Sequence, residues 1–328
     1  MEFCRLPIRF DLPTLQREAL QFGAQEWLQH PTGYSGNSAI RLITVRGTQN
    51  DDVAGPMAAT GQLGRCPYIQ RVLAQFGVTW SRSRLMKLAP RSVVPAHSDV
   101  NFHWFNRVRI HIPIVTRPGV MFHCGQQSVH MASGEAWIFD NWRRHRVENS
   151  TDQERIHLVA DTTGNAAFWN LVRRGQTRLF DTPEPAPLFP CVPEMPEPLL
   201  TEQYNTPVVM PPAEVETLLR DLSQDLAVTE NTPAAFESAD DFRKLLLEFC
   251  EDWRHCWSQF ADSPAGWPRY RALCENLKIQ VAQLPVRVYT DSNQVAVGAV
   301  LDARVLRYAV TPSGSTAAAE DEYSAQPA

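Results

Sequence analysis

Apolar and polar residues alternate along the first half of the chain, which is the pattern of β-strands with one buried face. In the run VRIHIPIV the isoleucines lie on one face, and Arg109 and His111 lie on the other. The run RIHLVAD repeats this arrangement, with Arg155 and His157 on the polar face. Glycine, proline and asparagine punctuate these runs, and one early helix is predicted around residues 15–28.

Short strands without intervening helices predict a mainly β domain, built as a β-sandwich or a jelly-roll barrel. A strand with one apolar face and one Arg/His face favours the barrel, because a polar interior could hold a ligand. We assign this domain, including its N-terminal helix, to residues 1–180.

The second half of the chain differs from the first in composition and in the period of its apolar residues. Residues 181–211 are rich in proline, which interrupts helices and central strands, so they are predicted to form an extended linker. Residues 212–310 are predicted to form a mainly helical domain, and residues 311–328 a disordered tail. The helical prediction uses apolar stripes at 215–226, at 242–260 after the capping sequence SADD, and at 270–281; β-like runs at 286–289 and 295–301 follow.

Composition and charge narrow the class of protein. The 328 residues carry a net charge of −5, so we expect no nucleic-acid partner. We see neither a signal peptide nor an apolar run of membrane-spanning length, and therefore expect no membrane association. The seven cysteines contain no C-x-x-C pair, which indicates reduced thiols in a cytoplasmic protein.

The strongest chemical signal is His97 with Asp99, followed by His145 after a predicted strand and turn. In an extended segment residues i and i+2 point to the same side, so His97 and Asp99 can share one metal ion. Two histidines and one carboxylate with open positions form the ligand set of facial-triad Fe(II) oxygenases.

A co-substrate fits the open positions. A 2-oxo acid can take two of the three vacant sites on octahedral Fe(II), and dioxygen (O2) takes the third. Arg155, ten residues after His145, can pair with the far carboxylate of 2-oxoglutarate through its planar guanidinium. The sequence therefore predicts an iron site with a dicarboxylate co-substrate.

These residues resemble the aspartyl/asparaginyl β-hydroxylase family of 2-oxoglutarate- and iron-dependent oxygenases. The resemblance spans roughly residues 80–165, about a quarter of the chain. The motifs that carry it are LAPRSVVPAHSD, RVRIHIPI, GEAWIFDNWRRHRVEN and RIHLVADT. It implies that the jelly-roll is a double-stranded β-helix, as in the cupins.

The resemblance also implies roles for individual residues. His97 and His145 match the iron-binding histidines, and Arg155 matches the arginine that holds the co-substrate. Arg109 and His111 match the R-x-H motif, which lines the co-substrate site in the family.

Asp99 bears on the reaction that the resemblance implies. The animal member that hydroxylates epidermal-growth-factor-like domains lacks this carboxylate, whereas the similar bacterial proline hydroxylases keep it and append a helical region. Related halogenases replace the carboxylate with a small residue, so Asp99 favours hydroxylation. The implied reaction hydroxylates an unactivated C–H bond of an amino acid, or of an aspartate-, asparagine- or proline-like residue in a peptide, and releases succinate and carbon dioxide.

Several alternatives stay open. The chain could hydroxylate an Asp or Asn side chain of a protein, bind metal as a cupin-type protein without 2-oxoglutarate turnover, or serve as a non-catalytic scaffold. Asn101, His103 and Trp104 either contact the small-molecule or peptide substrate or pack a loop. The helical region either closes over the substrate or forms a homodimer.

Overall fold

The structure is a computed structural model that describes residues 1–175 and 199–311, together with the backbone of 322–323. Residues 181–198 of the predicted linker and most of the predicted tail lie outside the described residues. Within these ranges, no helix combines the length and the apolar composition needed to cross a membrane.

Antiparallel strands are the main secondary structure of residues 1–162. The strands are β1 (Phe3–Arg9), β2 (Leu28–Gln29), β3 (Asn37–Val45), β4 (Met57–Ala59), β5 (Trp80–Leu88), β6 (Ser92–Asp99), β7 (Val108–Val115), β8 (Val120–Cys124), β9 (Gln127–Val129), β10 (Glu135–Phe139), β11 (His145–Asn149) and β12 (Arg155–Thr162). The helices of this region are α1 (Leu12–Ala19), α2 (Gly61–Gly64), α3 (Pro67–Gln75), α4 (Phe102–Phe105) and α5 (Ala166–Arg173).

The strands form two sheets that enclose a common interior. The larger sheet has the order β1-β10-β7-β12-β5-β3-β2, with β4 added on β3. The smaller sheet contains β6-β11-β8-β9, and β15 (Glu322–Tyr323) pairs with β6 at its edge. From β5 to β12 the chain passes repeatedly between the two sheets, which is the winding of a double-stranded β-helix. The predicted mainly β, cupin-like core is therefore confirmed.

The predicted alternation decides which face of the larger sheet meets the helices. Ile110, Ile112 and Leu158 are at most 1% exposed and pack in one cluster with residues of α1, α3 and α5. Burying each such side chain stabilises the fold by roughly 1.5–3 kcal/mol. The opposite, polar face is thereby directed into the barrel.

The C-terminal region is mainly helical, as the sequence predicts. Its elements are α6 (Pro212–Gln224), β13 (Leu226–Ala227), α7 (Pro233–Phe260), α8 (Trp267–Ala282), β14 (Tyr289–Thr290), α9 (Val297–Leu301), a π-helix (Asp302–Leu306) and α10 (Arg307–Ala309). Their apolar stripes meet in a second core that includes Phe242, Trp253 and Tyr270. The domain boundaries given above stay predictions.

Three local predictions were wrong. The first helix ends at Ala19, and Leu28 instead pairs with β3. Helix α7 begins before SADD, because the Thr232 side chain caps it by accepting a hydrogen bond from the Ala235 N–H at 3.3 Å. Most of the β-like run 295–301 is helical, since a short buried apolar run fits a helix in the second core equally well.

Candidate active site

Two neighbouring strands of the smaller sheet bring the predicted metal ligands together. His97 in β6 and His145 in β11 are directly paired, and their ring centres lie 4.2 Å apart. One ligand atom from each of His97, Asp99 and His145 lies within 4.8 Å of the others, and all three residues are buried. A single ion can therefore contact all three side chains.

Backbone carbonyls orient both imidazoles. His97 Nδ1 lies 2.8 Å from the Pro95 carbonyl oxygen, and His145 Nδ1 lies 2.8 Å from the Arg143 carbonyl oxygen. When each Nδ1–H donates to its carbonyl, Nε2 keeps its lone pair for a metal. Burial lowers the pKa of His145 to about 3, with His97 adding to the effect, so this ligand is neutral.

The surroundings of Asp99 keep it ionised and fixed. Burial raises its pKa, but Arg109, His145 and His97 outweigh that effect and hold the pKa below its usual value. The Asn141 side-chain amide donates to Asp99 Oδ2 at 3.0 Å, and the Asp99 N–H donates to the Asn141 carbonyl at 3.0 Å. Asn141 thus orients the carboxylate ligand, a function that its sequence did not reveal.

Arg155 lies in the same cavity as His97 and His145, with a side chain 4% exposed. Its guanidinium carbon lies 4.9 Å from the centre of the Phe122 ring, and Nε finds no hydrogen-bond partner among the described residues. Burial lowers the pKa of this guanidinium to about 9. A buried cation without a counter-ion is costly, so the site favours an anionic ligand.

The interior beside Arg155 is shared by two buried histidines. His111 and His157 have ring centres 5.8 Å apart, and neither ring has a hydrogen-bonded nitrogen within the described ranges. Burial, with Arg155 adding to it, lowers both pKa values well below the usual range. These neutral rings offer donors and acceptors to a polar ligand in the cavity.

Arg109 lies between the metal ligands and a second carboxylate. Its Nη1 is 3.8 Å from Asp99 Oδ2, and its Nε is 3.0 Å from Asp161 Oδ1. Asp161 is nearly fully buried; burial raises its pKa, but Arg109 and His103 hold it well below its usual range. Arg109 therefore lies beside the predicted metal ligands, and the carboxylate of Asp161 partly neutralises its charge.

The helical region contacts the loop that carries Asn141. The Trp142 indole donates to Ser292 Oγ at 2.5 Å, and the Asn293 side-chain amide donates to the Trp142 carbonyl at 3.0 Å. The Arg304 guanidinium carbon lies 5.2 Å from the Trp142 ring centre. Residues far along the chain therefore hold the loop beside Asp99.

The donor set fits the predicted groups. Two imidazoles and one carboxylate are ligands that suit Fe(II), and the Arg155 guanidinium in the same cavity could pair with a dicarboxylate. The fold is a double-stranded β-helix, and it brings together three side chains that could hold one metal ion as a facial triad.

The sequence comparison names a family for the segment that builds this site. Residues 51–164, about a third of the chain, match the model of the aspartyl/asparaginyl beta-hydroxylase family. The matched segment begins before the motifs noted above and includes β4 to β12. The predicted resemblance is confirmed and supports an oxygenase. No protein of curated function matches the sequence.

Solved structures similar to this one are distant in sequence. An oxidoreductase of the 2OG-Fe(II) oxygenase family from Burkholderia pseudomallei is 14% identical, with a TM-score of 0.36 over 47% of this chain and 79% of that chain. A predicted oxalate decarboxylase from Thermotoga maritima is 14% identical, with a TM-score of 0.26 over 44% and 98%. A cupin domain from Bordetella pertussis is 16% identical, with a TM-score of 0.21 over 25% and 79%. The ligands of this chain must therefore be argued from its own residues.

Sequence reasoning missed the arginines of β5. Arg82 and Arg84 alternate with serines in WSRSRL, the same period-two pattern that singled out Arg109 and His111. That pattern could have placed them on one face of a strand, but not inside the barrel.

Proposed function

We propose that the protein is an Fe(II)- and 2-oxoglutarate-dependent hydroxylase. It acts on an unactivated C–H bond of an amino acid, or of an aspartate-, asparagine- or proline-like residue in a peptide, and releases succinate and carbon dioxide. The observation that carries the proposal is Arg155, a buried guanidinium in the cavity of the metal triad that has no carboxylate partner among the described residues.

Different residues of the site bind the metal ion and the co-substrate. His97, Asp99 and His145 hold the iron, and Asn141 fixes the carboxylate of Asp99. Arg155 binds the distal carboxylate of 2-oxoglutarate, which orients the co-substrate along the cavity.

Bound iron and 2-oxoglutarate supply the oxidising power for hydroxylation with dioxygen. The chain contributes position and shielding. Phe122, Phe139 and Val159 line the cavity with apolar surface, which excludes water from the reacting centre. Arg109 adds positive charge beside Asp99. It can also stabilise a carboxylate oxygen of the bound co-substrate.

The test begins without oxygen. We expect the protein to bind Fe(II) and 2-oxoglutarate together and to develop their charge-transfer absorption band. Oxygen is then admitted with a panel of amino acids, peptides and an Asp/Asn-containing protein domain, and mass spectrometry follows succinate and the gain of one oxygen atom. Arg155→Met should abolish the band at 2-oxoglutarate concentrations that saturate the native protein, while the exposed Arg17→Met should retain it.

The outcomes separate the alternatives. Metal binding without a 2-oxoglutarate band would contradict the proposal and favour a cupin-type metal protein. Oxygen gain only in the protein domain would assign the chain to protein Asp/Asn hydroxylation.

Two further proposals concern the whole molecule. We propose a cytoplasmic location, supported by the free thiols of the six cysteines that the structure describes. We also propose a homodimer through α7 and α8, where Leu247 is 67% exposed and Ile279 is 56% exposed. Light scattering at several concentrations tests the dimer; a monomer throughout would exclude it.

A further inference from the structure

We propose that Arg304 is a positioning residue for the metal centre and that it couples the C-terminal helical region to Fe(II) binding. The π-helix Asp302–Leu306 carries this arginine. The inference rests on the proposed function, because it takes the ion held by His97, Asp99 and His145 to be Fe(II).

Two short segments of the chain decide where the Asp99 carboxylate lies. The first runs on from β6, which ends at Asp99, into helix α4 (Phe102–Phe105). The second carries Asn141, whose side-chain amide donates to Asp99 Oδ2 at 3.0 Å and whose carbonyl accepts from the Asp99 N–H at 3.0 Å. A displacement of either segment would therefore move the carboxylate ligand.

The Arg304 guanidinium contacts both segments. Its carbon lies 3.9 Å from the centre of the Phe105 ring, which belongs to α4. The same carbon lies 5.2 Å from the centre of the Trp142 ring, which belongs to the residue after Asn141. Both distances are within about 6 Å, the reach of a cation–π contact. One side chain of the helical region thus connects the two segments that position Asp99.

The helical region holds Arg304 in this place. The side chain is 1% exposed, and its guanidinium pairs with Asp221 of α6. A π-helix is rare and occurs mostly as a single turn, frequently at functional sites. The next element makes a second contact with α4, since the Tyr308 ring stacks on the Phe102 ring with 5.3 Å between the two centres. The guanidinium is therefore held from both the helical region and α4.

Hydrogen bonds hold Trp142 in contact with Arg304. The indole N–H donates to Ser292 Oγ at 2.5 Å, and Ser292 Oγ donates to Asp225 Oδ2 at 2.5 Å. The Asn293 side-chain amide donates to the Trp142 carbonyl at 3.0 Å. The backbone, the indole N–H and the ring face of this residue are thus all contacted by the helical region.

Packing alone does not require an arginine at this position. A buried guanidinium loses its hydration, and an apolar side chain of similar volume would fill the same space at lower cost. Arg304 Nε has no hydrogen-bond partner among the described residues, and the side chain of its partner Asp221 is 55% exposed. Only a cation is attracted to the faces of two aromatic rings at once. The arginine therefore suits the positioning of α4 and the Trp142 loop better than it suits core packing.

Coupling of this kind is reciprocal. When the helical region favours the arrangement of Asp99 that binds Fe(II), Fe(II) binding stabilises the helical region by the same free energy. We therefore expect the backbone amides of residues 302–309 to exchange hydrogen more slowly when Fe(II) is bound.

The test measures Fe(II) affinity without turnover. Chelator competition is carried out without oxygen on the native protein, on Arg304→Met and on Arg254→Met. Arg254 is the matched control, because it also pairs with a carboxylate of α6, that of Glu216, but its side chain is 58% exposed. We expect Arg304→Met to weaken Fe(II) binding about threefold to thirtyfold, the range for residues that act through others. Arg254→Met should leave the affinity unchanged.

Further variants separate positioning from a general loss of stability. Arg304→Lys keeps the positive charge but not the planar group, so it should restore part of the affinity. Phe105→Leu removes one of the two rings and should also weaken Fe(II) binding. Combined with Arg304→Met, its effect should be less than additive, because both variants break the same contact. The slower hydrogen exchange of residues 302–309 on Fe(II) binding should be lost in Arg304→Met and kept in Arg254→Met.

Three results would overturn the inference. The first is native Fe(II) affinity in Arg304→Met that urea denaturation shows to be folded. The second is full additivity of Arg304→Met and Phe105→Leu, and the third is slower exchange of residues 302–309 that persists in Arg304→Met. If Arg304→Met does not fold, native affinity in both Arg304→Lys and Phe105→Leu would overturn it. These measurements use no 2-oxoglutarate, whereas the proposed function fails when the native protein forms no band with 2-oxoglutarate, so the two failures are distinguishable.

Discussion

Replacing Arg155 with methionine should raise the stability of the ligand-free protein and remove co-substrate binding. Methionine keeps much of the length of the side chain and its packing against Phe122, but it removes a buried guanidinium for which the described part of the chain provides no carboxylate partner. A residue whose replacement stabilises the fold but abolishes ligand binding serves binding at the expense of stability.

The magnitude follows from the burial of Arg155. Its pKa falls from 12.5 to about 9, and one pKa unit corresponds to about 1.4 kcal/mol, so the charged form loses at most on the order of 5 kcal/mol. Relaxation and the aromatic contact recover part of this, so we expect a gain of about 1–4 kcal/mol in the free energy of unfolding.

Binding should change in the opposite direction. In Arg155→Met the distal carboxylate of 2-oxoglutarate would be buried without its partner, which costs about 3–5 kcal/mol and weakens binding more than about 100-fold. Urea denaturation of the metal-free protein measures the first effect, and equilibrium dialysis with Fe(II) measures the second. A less stable variant that still binds 2-oxoglutarate with native affinity would refute the reasoning.

Three further predictions concern the same interior. Asp99→Ala should abolish amino-acid hydroxylation, and native turnover in the succinate assay would exclude Asp99 as a ligand. Asn141→Ala should weaken Fe(II) binding about 10–100-fold, as measured by chelator competition, because the carboxylate loses its orienting donor; equal affinity would contradict this. The buried His157 stays neutral in the fold but gains a proton in the unfolded chain below pH ~6.5. Its stabilisation is therefore complete above that pH and lost as pH falls, by about 1.4 kcal/mol per pH unit. His157→Phe should lower this slope in urea denaturation between pH 7 and 5, and an identical slope would disprove it.

The metal ligands could be predicted from the sequence with little more than local strand geometry. Because i and i+2 of a strand share a side, His97 and Asp99 had to point together, and strand pairing then brought His145 opposite His97. The same period of two separated the isoleucines of β7 from Arg109 and His111. Local alternation of this kind survives folding, since the pleat fixes it.

Long-range contacts could not be predicted from the sequence. The proline-free, apolar run 295–301 fitted a strand or a helix equally, and only packing in the helical core decided it. Asn141 gave no signal of its own, because its role depends on a loop that Ser292 and Asn293 hold from the far end of the chain.

The sequence by itself determined the β-rich core, the helical C-terminal region and the candidate ligand triad, since these follow from periods of two and 3.6 and from residue chemistry. Only the tertiary structure decided that Arg155 is buried with no carboxylate partner in residues 1–175 and 199–311, and that Arg41, Arg82 and Arg84 gather around Asp51. Burial and charge balance are properties of the closed barrel, in which strands distant in sequence lie side by side. No single strand carries that information.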